Sequence, residues 1–162
     1  MSNLPFLDLK AIQQLHADAL RSAFERVLDS GWYILGEEVR HFEEEYAAYC
    51  GARECVGVAN GLDALVLALR ALDIGPGDEV IVPAYTWLAS AGAVLSVGAI
   101  PVLADVDGTL TLDPADFERR IGPRTKAVLP VHMGGRPAAM NAIMDIARRH
   151  GLRVLEDACQ AI

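Results

Sequence analysis

From Glu54 onward, short apolar runs alternate with stretches of helical spacing, and that alternation leaves few folds open. The runs fall at 55–59, 79–83, 101–105, 127–131 and 153–156. They are continuously apolar rather than alternating in polarity, the pattern of parallel strands buried on both faces. Between them, 62–72, 86–97, 114–120 and 138–150 read as helices, and Gly75-Pro76-Gly77-Asp78 is a clear turn. Right-handed crossovers then give an α/β fold, a three-layer sandwich around a mostly parallel, doubly wound sheet.

The N-terminal third reads differently. Leu20, Phe24, Val27 and Leu28 follow helical spacing, as do Val39, Phe42, Tyr46 and Tyr49 on a segment whose other face is acidic. Gly31 and Gly51 are the expected helix stops. Between them lies Gly31-Trp32-Tyr33-Ile34-Leu35-Gly36, an apolar and aromatic loop that a subunit or ligand contact would account for. The expected division is a helical segment over 1–53 and the first part of a large α/β domain over 54–162.

The chain has 162 residues, one domain's worth, and its 52% hydrophobic and 22% charged content belongs to a folded protein rather than a disordered one. A net charge of -8 argues against nucleic acid or an anionic membrane as partner, since both are polyanions. The three cysteines match no zinc spacing, so no metal site is expected. With no leader sequence and no apolar run of ~20 residues, the expectation is a cytoplasmic protein with reduced thiols.

The chemically distinctive residues cluster at the carboxyl ends of the expected strands, where open α/β sheets bind ligands. Asn60-Gly61-Leu62-Asp63 joins a strand to a helix and offers free N–H groups to an anion. A plain strand-to-helix turn, with Asp63 as a dipole partner, would look the same. Trp87 can stack on a flat ring or pack in a core. Ser90, one turn on, can donate a hydrogen bond. Asp157, at the end of the last strand, needs a cation if it is buried. A protonated pyridine nitrogen is one such cation, and an N-cap role is the alternative. Gln160 can hydrogen-bond a ring substituent. His132 and Arg136 read as ordinary loop residues, and Cys159 has no visible base to make it a nucleophile.

Taken in order, these motifs resemble the DegT/DnrJ/EryC1/StrS family, sugar aminotransferases of the aspartate-aminotransferase fold type I. The matching pieces are Ser30-Gly31-Trp32-Tyr33-Ile34-Leu35-Gly36, Asn60-Gly61-Leu62-Asp63-Ala64-Leu65, Gly75-Pro76-Gly77-Asp78-Glu79-Val80-Ile81-Val82-Pro83, Thr86-Trp87-Leu88-Ala89-Ser90, Pro130-Val131-His132 and Glu156-Asp157-Ala158-Cys159-Gln160-Ala161. The resemblance implies the N-terminal part of a large domain that binds pyridoxal 5'-phosphate. In that scheme Gly61 and Leu62 give backbone N–H groups to the phosphate and Trp87 stacks on the ring. Asp157 pairs with the ring nitrogen, Gln160 lies by the ring hydroxyl, and Ser90 completes the cofactor site.

The implied reaction is a ping-pong transamination from an amino acid, L-glutamate, to a nucleotide-linked keto sugar, by a homodimer. The family often has Thr where this chain has Leu62 or Ser90. The reaction also needs a Schiff-base lysine. The only lysines are Lys10 and Lys126, and neither fits the motif, so the lysine is expected beyond Ile162, together with a small C-terminal domain. The 162-residue chain alone is therefore expected to be inactive. A sugar dehydratase relative and a truncated, non-catalytic binding chain are the alternatives. A plain nucleotide-binding domain would need a GxGxxG loop, and there is none.

Overall fold

A computed structural model describes residues 5–161. The chain divides into two compact units, Met1–Gly57 and Val58–Ile162.

In the first unit three helices follow one another: α1 (Leu9–Leu15), α2 (Ala17–Ser30) and α3 (Glu37–Cys50). The sequence pattern showed the second and third but not α1, which is only seven residues long and starts where Asp8 Oδ1 accepts the Ala11 N–H at 2.9 Å. The expected stops hold. Gly31 and Gly51 close α2 and α3 with φ of 64° and 65°, a left-handed conformation that costs glycine nothing. Arg26 grips both carboxylate oxygens of Glu38, at 2.6 and 3.0 Å, across the α2–α3 loop. The loop residues Trp32, Tyr33, Ile34 and Leu35 are all exposed.

The second unit is the α/β body. Its strands are β1 (Glu79–Pro83), β2 (Ile100–Ala104), β3 (Thr125–Val128) and β4 (Arg153–Val154), in the order β2-β1-β3-β4 and all parallel. Its helices are α4 (Gly61–Ala71), α5 (Leu88–Ser96), α6 (Pro114–Arg119) and α7 (Met140–His150). Side chains alternate across the sheet as strand geometry requires. Val80, Val82, Ala127 and Leu129 pack with Leu65 and Leu69 of α4 and Ala93 and Val94 of α5. Ile81 and Val128 pack on the other face with Phe117 of α6 and Ile143 and Ile146 of α7. The result is the expected three-layer sandwich.

One expected strand is absent. Residues 55–59 form no ladder with any described strand. An apolar run becomes a strand only when a neighbour takes its backbone groups. Here the Gly57 N–H goes instead to the Glu43 side chain at 2.7 Å. The strands β3 and β4 stop two or three residues short of their apolar runs, but the pairing does not. Leu155 N–H reaches Val128 O at 3.0 Å, Asp157 N–H reaches Pro130 O at 2.9 Å, and His132 N–H reaches Asp157 O at 3.1 Å. This irregular extension fastens Asp157 to the segment after β3.

The chain leaves β1 toward β2 on one side and returns to β3 on the other, so the strand order reverses at the β1/β3 pair. Open α/β sheets bind ligands beyond the carboxyl ends of the strands at such a reversal.

Candidate active site

A cleft of about 320 Å3 lies at that edge, lined by Asn60, Gly61, Leu62, Leu65, Thr86, Trp87, Ala89, Val131, Asp157, Cys159 and Gln160. Five of the six expected cofactor-site residues therefore line one cavity. The sixth, Ser90, is buried behind it and reaches it through Asp157.

The α4 wall begins at Asn60. Its Oδ1 accepts the Asp63 N–H at 2.9 Å, and its Nδ2 donates to Asp63 Oδ2 at 2.9 Å. This reciprocal cap starts the helix and assigns Asp63 to the cap. The Gly61 and Leu62 N–H groups, the first in the helix, make no hydrogen bond within the described residues. Gly61 also admits Cys159: a Cβ there would lie 2.5 Å from Cys159 Sγ.

The β1–α5 wall carries Trp87 at the start of α5. Its indole is 77% exposed, so it belongs to the cleft rim and not to the core. One turn on, Ser90 is 1% exposed and its Oγ donates to Asp157 Oδ2 at 2.8 Å. Thr86 Oγ1 lies 2.9 Å from Ser90 Oγ. A serine has one hydroxyl proton and a carboxylate only accepts. Ser90 therefore gives its proton to Asp157, and Thr86 gives its own to Ser90.

Asp157 is 7% exposed. Its second oxygen, Oδ1, accepts the Cys159 N–H at 3.2 Å and closes a turn; no helix follows it among the described residues, so the expected N-cap alternative does not apply. No cation among the described residues pairs with it. Hydrogen bonding to Asp157, then burial, then the carboxylate's charge raise the Cys159 thiol above its usual pKa. That keeps the thiol protonated and a poor nucleophile.

Gln160 Oε1 accepts the Gly134 N–H at 2.6 Å. A backbone N–H facing that atom fixes it as the oxygen, so the amide NH2 keeps its donors for a ligand and the oxygen keeps one further acceptor position. His132 is a buried clamp. Its Nδ1 accepts the Ala138 N–H at 3.2 Å, which places the proton on Nε2, 3.0 Å from Glu156 Oε2. Sequence reasoning missed Thr86, Gly134 and Glu156 as partners. The spacing of Thr86 and Ser90, four residues, was the one signal that could have linked two of them.

The cleft thus presents an anion-binding helix start, an exposed indole and a buried, cation-lacking carboxylate. Those three match a phosphate, a flat ring and a protonated ring nitrogen, so the residues present fit pyridoxal phosphate. No lysine lines the cleft, and Lys126 sits at the amino-terminal part of β3, the opposite end from Asp157. Among the described residues no metal-binding cluster occurs, and no helix is long and apolar enough to cross a membrane.

Comparison with known proteins agrees. The curated dTDP-3-amino-3,6-dideoxy-alpha-D-galactopyranose transaminase of Aneurinibacillus thermoaerophilus is 51% identical over 159 residues, which are 98% of this chain and 44% of that protein. The crystal structure of S. venezuelae DesV in complex with a ketimine intermediate matches with a TM-score of 0.97 at 52% identity, covering 99% of this chain and 44% of that one. The structure of NtdA from Bacillus subtilis with bound cofactor PMP matches with a TM-score of 0.94 at 36% identity, covering 100% of this chain and 38% of that one. The chain thus spans less than half the length of these relatives. The profile of the DegT/DnrJ/EryC1/StrS aminotransferase family matches residues 15–162, and the chain belongs to that family.

Proposed function

We propose that this chain forms the cofactor-holding part of a pyridoxal-phosphate-dependent aminotransferase acting on a nucleotide-linked keto sugar. The observation that carries the reading is Asp157: a buried carboxylate with a hydroxyl on one oxygen, a backbone N–H on the other and no cation. Burying an ionised carboxylate without a cation costs several kcal/mol in general, so the cleft favours a ligand that brings a positive charge to it.

Each residue then has a role. The Gly61 and Leu62 N–H groups and the α4 dipole receive a phosphate. Trp87 covers one face of the ring and excludes water from it. Asp157 holds the proton on the ring nitrogen. With its oxygen engaged by the Gly134 N–H, Gln160 has its amide NH2 free to donate, which suits an anionic ring oxygen. Pyridoxal phosphate, when bound, supplies the electron sink and the amine carrier of a transamination.

The amino donor in this reading is an amino acid, L-glutamate, and the acceptor is a sugar of the class named for the A. thermoaerophilus relative. The working unit is a homodimer, for which the exposed Trp32–Leu35 loop is the supporting surface. The three free cysteines suit a reducing cytoplasm. A lysine that carries the cofactor covalently and moves the substrate proton remains necessary, and none lines this cleft. The 162-residue chain is therefore proposed to bind the cofactor reversibly and not to turn over.

The test uses Trp87 as reporter. With Trp32 replaced by Phe, Trp87 is the only indole. Pyridoxamine 5'-phosphate should quench its fluorescence saturably, and excess inorganic phosphate should weaken that binding. No saturable quenching would contradict the reading.

A further inference from the structure

The buried hydroxyl of Ser90 is unexplained by packing. Ser90 lies on the face of α5 that carries Ala93 and Val94 into the core. Alanine at that position would suit the helix better and would carry no buried polar atom of its own. Ser90 is nonetheless polar and 1% exposed, and its one proton is committed to Asp157 Oδ2. Behind it, Thr86 Oγ1 supplies the donor that Ser90 Oγ accepts. The two hydroxyls thus form a relay with a fixed direction, Thr86 to Ser90 to Asp157, and successive bonds of one polarity strengthen one another.

The other carboxylate oxygen is held independently by the Cys159 N–H. A donor on each oxygen, one from α5 and one from the loop after β4, fixes the plane of the carboxylate. Each oxygen keeps a further acceptor position. The backbone of Asp157 is itself tied to Pro130 and His132, so rotation of the side chain is the only freedom left, and the relay removes it.

We propose that Ser90, backed by Thr86, is a positioning residue that sets the plane of the Asp157 carboxylate for a cationic ring nitrogen in the cleft. This rests on the cofactor reading above. Ser90 touches Asp157 and not the ligand, so its effect is on how the ring is held.

The experiment compares the unaltered protein with Ser90→Ala, Ser90→Thr and Thr86→Val, each titrated with pyridoxamine 5'-phosphate. Two quantities are read: the dissociation constant, and the circular dichroism induced in the bound cofactor at saturation, which reports its orientation. Ser90→Ala should bind about tenfold more weakly or worse, as expected for losing a hydrogen bond to a charged group, with reduced induced dichroism per bound cofactor. Ser90→Thr keeps the hydroxyl and should recover both. Thr86→Val should weaken binding in the same direction but less. Unchanged affinity and dichroism in Ser90→Ala would overturn the relay. So would a Ser90→Thr variant as impaired as Ser90→Ala, because that pattern belongs to packing. Failure of the unaltered protein to bind the probe would instead overturn the cofactor reading on which the relay depends.

Discussion

Gly61 and Cys159 meet so closely that a methyl group on the glycine would lie 2.5 Å from the cysteine sulfur. The contact joins the first turn of α4 to the loop after Asp157, two parts of the cleft 98 residues apart in sequence, since 159 less 61 is 98. Glycine here serves close approach, because its backbone is ordinary helix. Gly61→Ala should therefore destabilise the protein by up to about 1 kcal/mol, the low end of overpacking because the exposed Cys159 side chain can turn aside, measured by urea unfolding. Adding Cys159→Ala should restore most of that loss. A double variant no more stable than Gly61→Ala would show that the sulfur is not the obstacle.

The Cys159 thiol is held above its usual pKa chiefly by hydrogen bonding to Asp157, with burial and the carboxylate's charge adding to it. Removing the charge should lower the thiol pKa and raise the thiolate fraction at a given pH. In a background lacking Cys50 and Cys55, iodoacetamide should thus alkylate Cys159 faster after Asp157→Asn than before, most visibly at mildly alkaline pH. Equal or slower alkylation would contradict the assignment.

Asp116 gives a stability signature. Its Oδ2 accepts the Asp105 N–H at 2.6 Å, and Arg119 and Arg120 flank it at 2.8 and 3.3 Å. The backbone bond first, and the two guanidinium groups after it, hold its carboxyl below the usual range. A depressed folded pKa means the stabilisation is complete above the unfolded value, about 3.9 for Asp, and is lost as pH falls through the folded one. The melting temperature should therefore drop more steeply in acid for the unaltered protein than for Asp116→Asn. Parallel acid limbs would exclude a role for Asp116.

His132 makes a different kind of contribution. Ala138 is 5% exposed and its N–H has His132 Nδ1 as its partner. His132→Ala should cost about 1–3 kcal/mol, the usual loss when a buried donor is left unsatisfied. Glu156 is half exposed, so Glu156→Gln should change stability far less. Comparable losses in the two variants, measured by urea unfolding, would show that the Glu156 bond and not the Ala138 bond is the clamp.

Much of the architecture was legible because it depends on local pattern. The run at 79–83 is β1 residue for residue, and Gly31 and Gly51 stop their helices where expected. The placing of Trp87 and Asp157 at one sheet edge followed from strand direction alone, while Asn60 reaches that edge without the strand expected before it. What failed depended on partners remote in sequence. Residues 55–59 are apolar enough for a strand but have no described neighbour to pair with. Ser90 was legible as a polar residue near the site, while its bond to Asp157, 67 residues away, required the fold. Gln160 was legible as a ring contact, but the commitment of its oxygen to Gly134 was not. Neighbour identity within a parallel sheet is set by crossover topology, which short sequence patterns do not encode.

The affinity of the cleft for pyridoxamine 5'-phosphate, with and without the Asp157 charge, reports the role of Asp157 most directly. Asp157→Asn keeps the size of the side chain, removes its charge and turns one of its two acceptor oxygens into a donor NH2. The unaltered protein should bind the cofactor saturably. Asp157→Asn should bind about 30-fold more weakly or worse, the scale of truncating one partner of a buried charge pair. Equal affinity in the two proteins would contradict the claim that Asp157 receives the cofactor's cationic ring.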